Sequence, residues 1–84
     1  MNQAIQFIDR VEFDTQTQLL TFYAQVSGLM VECIVNMQSV LISDMAAAKQ
    51  HFESLRFDYE ELAEQLIEDE EYNSAGKIEI KPLT

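Results

Sequence analysis

The sequence has little of several residue types that constrain folds: among its 84 residues there are no tryptophans, one cysteine, one proline and two glycines. Because Cys33 is the single cysteine, an internal disulfide framework is excluded. No apolar run approaches the roughly 18–20 residues of a membrane-spanning helix. The opening MNQAIQFIDR lacks the basic end and long apolar stretch of a signal peptide. We therefore expect a cytoplasmic protein without a membrane segment.

Positive charge is also scarce, since 5 lysines and arginines stand against 15 aspartates and glutamates, for a net charge of −10. Four acids against one arginine leave −3 in residues 1–43, and eleven acids against four cations leave −7 in residues 44–84. Nucleic acids and anionic lipids need basic contacts for their phosphates, so direct binding to either is not expected. The charge favours a basic protein as partner.

Length and composition predict one small folded domain that comprises residues 1–84. A hydrophobic content of 48% is too high for an intrinsically disordered chain, despite the charge. A chain of this size forms a single core.

Alternating apolar residues predict three strands in the first half of the chain. Ile5 and Phe7, then Val11 and Phe13, alternate with polar neighbours. A second alternating run, QLLTFYAQV, ends at the dipeptide Ser27-Gly28, which suits a two-residue hairpin turn. Such a turn fixes the register and predicts four opposed pairs: Val26 with Leu29, Ala24 with Val31, Phe22 with Cys33, and Leu20 with Val35.

Helical spacing predicts two to three helices after the third strand. Asn36 is the expected cap of a short helix that carries Val40 and Leu41, and a second helix is expected from Asp44 to Leu55. The third helix is predicted from one apolar stripe, formed by Tyr59, Leu62, Ala63, Leu66 and Ile67.

The ends of this third helix also have sequence signatures. Asp58 with Glu61 matches a capping box, and Phe57 with Leu62 matches a hydrophobic staple. Gly76 is the expected terminator. The closing KIEIKP predicts an edge strand, protected by lysines and ended by Pro82. The predicted fold is α+β in two layers: a three-stranded antiparallel meander, two to three helices and a final edge strand.

Sequence patterns for catalysis, metals or cofactors are absent. There is no serine elbow, glycine-rich phosphate loop or Cys-x-x-Cys pair. The acidic DEEYN segment lacks the glycine and final glutamate of a calcium loop. We expect Cys33 to be packed and inert on the inner face of a strand, and His51 to be a half-buried helix residue. No cofactor and no metal site are predicted.

The acidic run of the third helix is the first candidate functional surface. Glu60, Glu64 and Glu68 form a row of like charges at spacings of four, and Glu71 follows Glu68 by three. Each such pair costs roughly 0.2–0.5 kcal/mol. Three interpretations remain open: a solvated face, a docking surface for a basic partner, or capture by a cation of the same fold.

A second candidate site combines Asp9, Arg10, Arg56 and Asp58. Pairs of arginine and carboxylate bind polar groups well, so these residues would serve a small-ligand-binding or enzymatic domain. The alternative is an ordinary ion pair and a helix cap.

The segments IQFIDR, FD, the Gly28 turn, CIV and FESLRFDYEELAEQLI, followed by a glycine, together resemble a family of short bacterial proteins called domain of unknown function 1488. The resemblance spans nearly the whole chain. It implies a small two-layer α+β fold, and it brings no known activity, cofactor or catalytic residue to this sequence.

The function hypothesis is a non-enzymatic interaction module that presents an acidic helix to a protein partner and is a candidate homodimer. The alternative is a polar-ligand or enzymatic domain built on the second site. A third hypothesis is an acidic mimic that competes with nucleic acid for a basic protein.

Overall fold

A computed structural model describes residues 4–40 and 42–83 of the chain. Its sheet of four strands is covered on one face by two helices, so the predicted two-layer α+β fold is confirmed. The elements in chain order are β1 (Ile5–Asp14), β2 (Leu19–Val26), β3 (Leu29–Asn36), α1 (Met45–Ser54), α2 (Arg56–Glu68) and β4 (Ile78–Ile80).

The sheet follows the chain in the order β1-β2-β3-β4. The first three strands are antiparallel, and β4 returns parallel to β3 at the edge. All four predicted pairs between β2 and β3 occur in the register. The turn residues Ser27 and Gly28 have φ angles of 50° and 86°, as the primed turn requires. The predicted hairpin and the predicted edge strand are therefore confirmed.

The edge strand β1 contains a bulge at Asp9 and Arg10. Ile8 is paired with Tyr23, and Val11 is paired with Phe22, which is adjacent to Tyr23 in β2. Asp9 and Arg10 are therefore extra residues without a partner. Both side chains are exposed, and the inward alternation of β1 resumes at Val11. A bulge of this kind interrupts the free edge and keeps Asp9 out of the core.

The core lies between the inner face of the sheet and the two helices. Phe22 contacts both Phe52 of α1 and Tyr59 of α2, at ring-centroid distances of 4.9 Å and 6.2 Å. Ala63 and Ile67 continue the buried stripe of α2. The other buried members of this cluster include Leu20, Ala24, Cys33, Val35, Met37, Ala48 and Ile78.

The predicted short helix after Asn36 is wrong. Residues 38–39 form a turn, in which the Asn36 side chain accepts the N–H of Gln38 at 3.0 Å. Met37 is fully buried and donates its N–H to the carbonyl of Gln18 at 2.7 Å, which holds the chain against the sheet. The asparagine therefore caps a turn instead of a helix. Val40 is half-buried, and Leu41 lies outside the described residues.

Helix α1 begins as predicted, because the carboxylate of Asp44 accepts the N–H of Ala47 at 2.9 Å. The predicted start of the third helix is wrong. Leu55 alone separates α1 from α2, and the N–H of Tyr59 already donates to Leu55 at 3.0 Å. Asp58 thus lies within the first turn, so the capping box and the staple do not form. Burial of Tyr59 against Phe52 explains the early start, since it holds the junction close to the sheet.

The predicted terminator of this helix is also wrong. Helix α2 ends at Glu68, and Glu70 takes a left-handed conformation with a φ of 56°. The N–H groups of Glu70 and Glu71 donate to Ile67 and Leu66, which is the Schellman pattern of helix termination. Gly76 instead belongs to the turn before β4. Neither of the two helices is long and apolar enough to cross a membrane.

Candidate interaction surface

The outward side of α2 carries one aromatic and three carboxylate side chains in a line. Tyr59, Ala63 and Ile67 face the core, and the opposite side holds Phe57, Glu61, Glu64 and Glu68 at spacings of four, three and four. Residues at these spacings share one side of a helix. All four are exposed. We call these four residues the acidic face.

The acidic residues proposed from the sequence do not all lie on this face. Glu64 and Glu68 belong to it, whereas Glu60 is half-buried and turned towards Arg56. Burial raises the pKa of Glu60, and the charge of Arg56 opposes that rise. Glu71 is exposed but follows the helix end. The four acidic residues proposed from the sequence therefore lie in three environments: on the acidic face, half-buried near Arg56, and beyond the end of α2.

Among residues 4–40 and 42–83, no carboxylate of α2 takes part in an ion pair. The four pairs that form join Arg10 to Glu12, Arg56 to Asp9, Arg56 to Glu53, and Lys77 to Glu32. The interpretation in which a cation of the same fold captures Glu64 thus finds no support in the described part of the chain. The acidic face is left to solvent or to a partner.

Phe57 is the residue of this surface that the sequence interpretation missed. It was assigned to a staple with Leu62, yet it is 83% exposed, more than any other large hydrophobic side chain in the described ranges. The spacing that places Tyr59 and Ala63 inward also places Phe57 outward with Glu61 and Glu64. That complementary spacing was the pattern in the sequence that could have identified it.

The second candidate site is only partly assembled. Arg56 donates to Asp9 at 2.9 Å and lies 3.0 Å from Glu53, and these side chains line an open depression with Lys49. Arg56 Nε is buried and has no hydrogen-bond partner in the described structure. Asp58 lines a different groove, beside Leu55 and Leu83.

Arg10 also borders this depression, but its guanidinium is held on the outer face of the sheet. It lies 2.6 Å from Glu12 and 4.7 Å from the ring centre of Tyr23. The Tyr23 hydroxyl donates to Glu12 at 2.6 Å, which raises the pKa of Tyr23 to about 12. The same bond, with help from Arg10, lowers the pKa of Glu12. The charges of this cluster satisfy one another.

The two residues expected to be structural are placed accordingly. Cys33 is fully buried opposite Phe22, and burial raises the pKa of its thiol to about 12, so it does not ionise near neutral pH. His51 is half-buried in α1, with Nε2 at 2.7 Å from the hydroxyl of Tyr59. Burial lowers the pKa of His51. In the described ranges, no three His, Cys, Asp or Glu side chains gather as a metal site.

Comparison with known proteins places this geometry in a family. The model of "Protein of unknown function (DUF1488)" matches residues 5–80. The uncharacterised protein YrdB of Escherichia coli strain K12 is 36% identical over 84 residues, which cover 90% of this chain and 94% of that protein. YrdB of Shigella flexneri is 34% identical over the same shares.

A solved structure supports the same assignment. The crystal structure of a DUF1488 protein of unknown function from Shewanella loihica PV-4 has a TM-score of 0.84 and 37% identity. The match covers 95% of this chain and 94% of that one. The resemblance inferred from the sequence is confirmed: the chain belongs to the DUF1488 family of proteins of unknown function.

Proposed function

We propose that this chain is a small, non-enzymatic interaction module of the bacterial cytoplasm that binds a basic protein through the acidic face. The observation that carries the proposal is Phe57, an aromatic side chain exposed at one end of a line of carboxylates that no cation of the described structure neutralises. Aromatic anchors surrounded by polar groups are typical of protein-binding surfaces.

Both features of this face are unfavourable in the isolated protein. Burying an exposed phenylalanine contributes about 1.5–3 kcal/mol. The repeated carboxylates Glu61, Glu64 and Glu68 repel one another along the helix. A partner that covers Phe57 and brings cations to the carboxylates relieves both conditions at once. The acidic face therefore fits a partner with mixed apolar and basic chemistry.

The length of the face defines what such a partner presents. Phe57 and Glu68 are eleven residues apart, which is about 16 Å along a helix. That length corresponds to three turns of a partner helix with an apolar side chain at one end and lysines or arginines along the rest. Nucleic acid and anionic membranes, which carry the same charge as this face, are unsuitable partners.

The polar-ligand or enzymatic alternative has less support. Asp9 and Arg56 are paired beside Glu53, whereas Arg10 is engaged by Glu12 and Asp58 lines another groove. A binding site for a polar ligand needs convergent unsatisfied groups. Here most of the charged groups already have partners within the fold.

Affinity capture from the native host tests the proposal. We compare the wild type with Phe57→Ala and Glu64→Lys, and we use Ala46→Lys on the exposed side of α1 as a control for added positive charge. A protein bound by the wild type and by Ala46→Lys should be lost or weakened at least tenfold in both face variants. Its affinity should fall as salt rises from 50 to 500 mM, because the contacts are charged. Equal capture by all four proteins would refute the proposal.

A further inference from the structure

The face of the sheet away from the helices carries apolar side chains on every one of its first three strands. Cross-strand pairing brings Ile8 beside Tyr23 and Thr21 beside Ile34, with the core residues of the same strands pointing the other way. We call Ile8, Leu19, Thr21, Tyr23, Met30 and Ile34 the outer sheet face. Tyr23 is buried by the guanidinium of Arg10, and Met30 is 55% exposed.

The charges around this face are close to balance. Arg10, Lys77 and Lys81, three of the five cations of the chain, lie there with four carboxylates, those of Glu12, Asp14, Glu32 and Glu79. Three cations against four acids leave a net charge of −1, so the rest of the molecule carries −9 of the total of −10. Two ion pairs, Arg10–Glu12 and Lys77–Glu32, already neutralise charge within the face.

We propose that the outer sheet face is the interface between two copies of this chain. Copies that met through their helices would bring two surfaces of about −9 within a Debye length, roughly 8–10 Å, of one another. Copies that meet through the outer sheet face keep those surfaces on opposite sides of the dimer. The charge distribution thus favours one face for self-association, and that face also exposes the apolar side chain of Met30.

The shape of the face defines an orientation for the two copies. At one end of the sheet, Leu19, Ile34 and Pro82 line a depression of about 500 Å³. Met30, an exposed and flexible side chain, lies at the other end, next to the hairpin turn. A two-fold axis that lies in the plane between the two sheets and runs perpendicular to the strands places Met30 of each copy over the depression of the other. This is the reciprocal contact that a symmetric dimer requires.

The size of the sheet limits the strength of the dimer. Three strands of eight to ten residues and the three-residue β4, about 4.8 Å apart at about 3.3 Å per residue, present on the order of 450 Å² per copy. The total, on the order of 900 Å², is below the standard size of specific interfaces and corresponds to weak ones. We therefore expect a dissociation constant in the micromolar range.

Two neighbouring residues provide a matched pair of variants for the test. Met30 and Leu29 are adjacent and both exposed, but Leu29 points to the opposite side of the strand. Met30→Lys and Leu29→Lys make the same change in charge and a similar loss of apolar surface. By sedimentation equilibrium between 5 and 500 µM, Met30→Lys should raise the dissociation constant at least tenfold, and Leu29→Lys by less than threefold.

Two further measurements do not depend on the variants. Raising the salt from 50 to 500 mM should tighten the dimer, because it screens the repulsion between two chains of charge −10, whereas binding of a basic protein to the acidic face should weaken. Dilution of the wild type should shift backbone amide resonances of β2 and β3 and leave those of α2 unchanged.

A wild type that stays monomeric at 500 µM would overturn the inference and leave this face to another protein. Equal effects of Met30→Lys and Leu29→Lys, or resonance shifts centred on α2, would also overturn it.

Discussion

At the scale of single residues, the hydroxyl of Tyr59 is a buried polar group with two hydrogen-bond partners. The side chain is fully buried, and its oxygen accepts the backbone N–H of Leu83 at 2.9 Å. Its own proton is then available for Nε2 of His51, 2.7 Å away. This arrangement needs a neutral imidazole with its proton on Nδ1, and it connects α1, α2 and the segment after β4. His51 is thus a structural residue whose charge state matters.

This geometry predicts a specific pH dependence of stability. Burial lowers the pKa of His51 below its ordinary value of 6.5, so below that pH the unfolded chain binds the proton more readily than the folded one. The contribution of His51 to the free energy of unfolding is therefore present above pH 6.5 and is lost as the pH falls further. Urea unfolding of the wild type and of His51→Gln measures this contribution. The glutamine amide oxygen can accept the hydrogen bond from the Tyr59 hydroxyl, but glutamine does not titrate. The wild type should lose stability relative to the variant between pH 7.5 and 5, and parallel pH profiles would contradict the assignment.

At the scale of secondary structure, the end of α2 is held by a residue poorly suited to its conformation. Glu70 has a φ of 56°, in the left-handed region where a side chain with Cβ costs roughly 1–2 kcal/mol and where helix ends usually have glycine. Its negative charge is also unfavourable at a helix C-terminus. The two effects can be separated, because alanine removes only the charge.

We accordingly expect Glu70→Gly to stabilise the protein and to exceed Glu70→Ala by about 1 kcal/mol in the free energy of unfolding. Glu70→Ala should gain only a few tenths of a kcal/mol, from the removed charge. Chemical denaturation of the three proteins gives both differences. If glycine and alanine proved equally stable, the left-handed conformation of residue 70 would not be a source of strain.

The elements that were predictable from the sequence are those determined by their own residues. The β2–β3 hairpin was predicted in full register, because Ser27-Gly28 sets the turn and the alternation sets the faces. The start of α2 was not, because it depends on the packing of Tyr59 on Phe52 and Phe22, contacts made across the fold. A local capping pattern at Asp58 was overridden by that burial.

The candidate surfaces also divide into features set by local spacing and features set by contacts across the fold. The exposure of Glu64 and Glu68 followed from helical spacing alone. The burial of Glu60 beside Arg56 depends on where α2 meets α1, and helical spacing identifies Phe57 as outward-facing only once α2 is known to begin before it. The outer sheet face could not be anticipated either, because its two ion pairs join residues brought together by the bulge and by the parallel return of β4.

At the scale of the whole molecule, charge is separated between the two layers. The outer sheet face has a net charge near zero, whereas the helix layer and its loops hold almost all of the excess negative charge. Self-repulsion of that layer reduces the stability of a small domain and at the same time attracts cations. Glu64, at the centre of the acidic face, allows both the self-repulsion and the attraction of cations to be measured on one side chain.

Glu64→Lys should therefore increase the free energy of unfolding by roughly 0.5–1.5 kcal/mol, because the repulsions with Glu61 and Glu68, three and four residues away, become attractions. Glu64→Gln is the control: it removes the repulsion without adding attraction, and should give about half of the gain. Urea denaturation at 50 and 500 mM NaCl tests the cause, since screening should shrink both gains at the higher salt. If Glu64→Lys lowered the stability instead, Glu64 would have to be bound by a cation within the fold. The acidic face would then belong to the architecture of the domain and would not be a surface available to a partner.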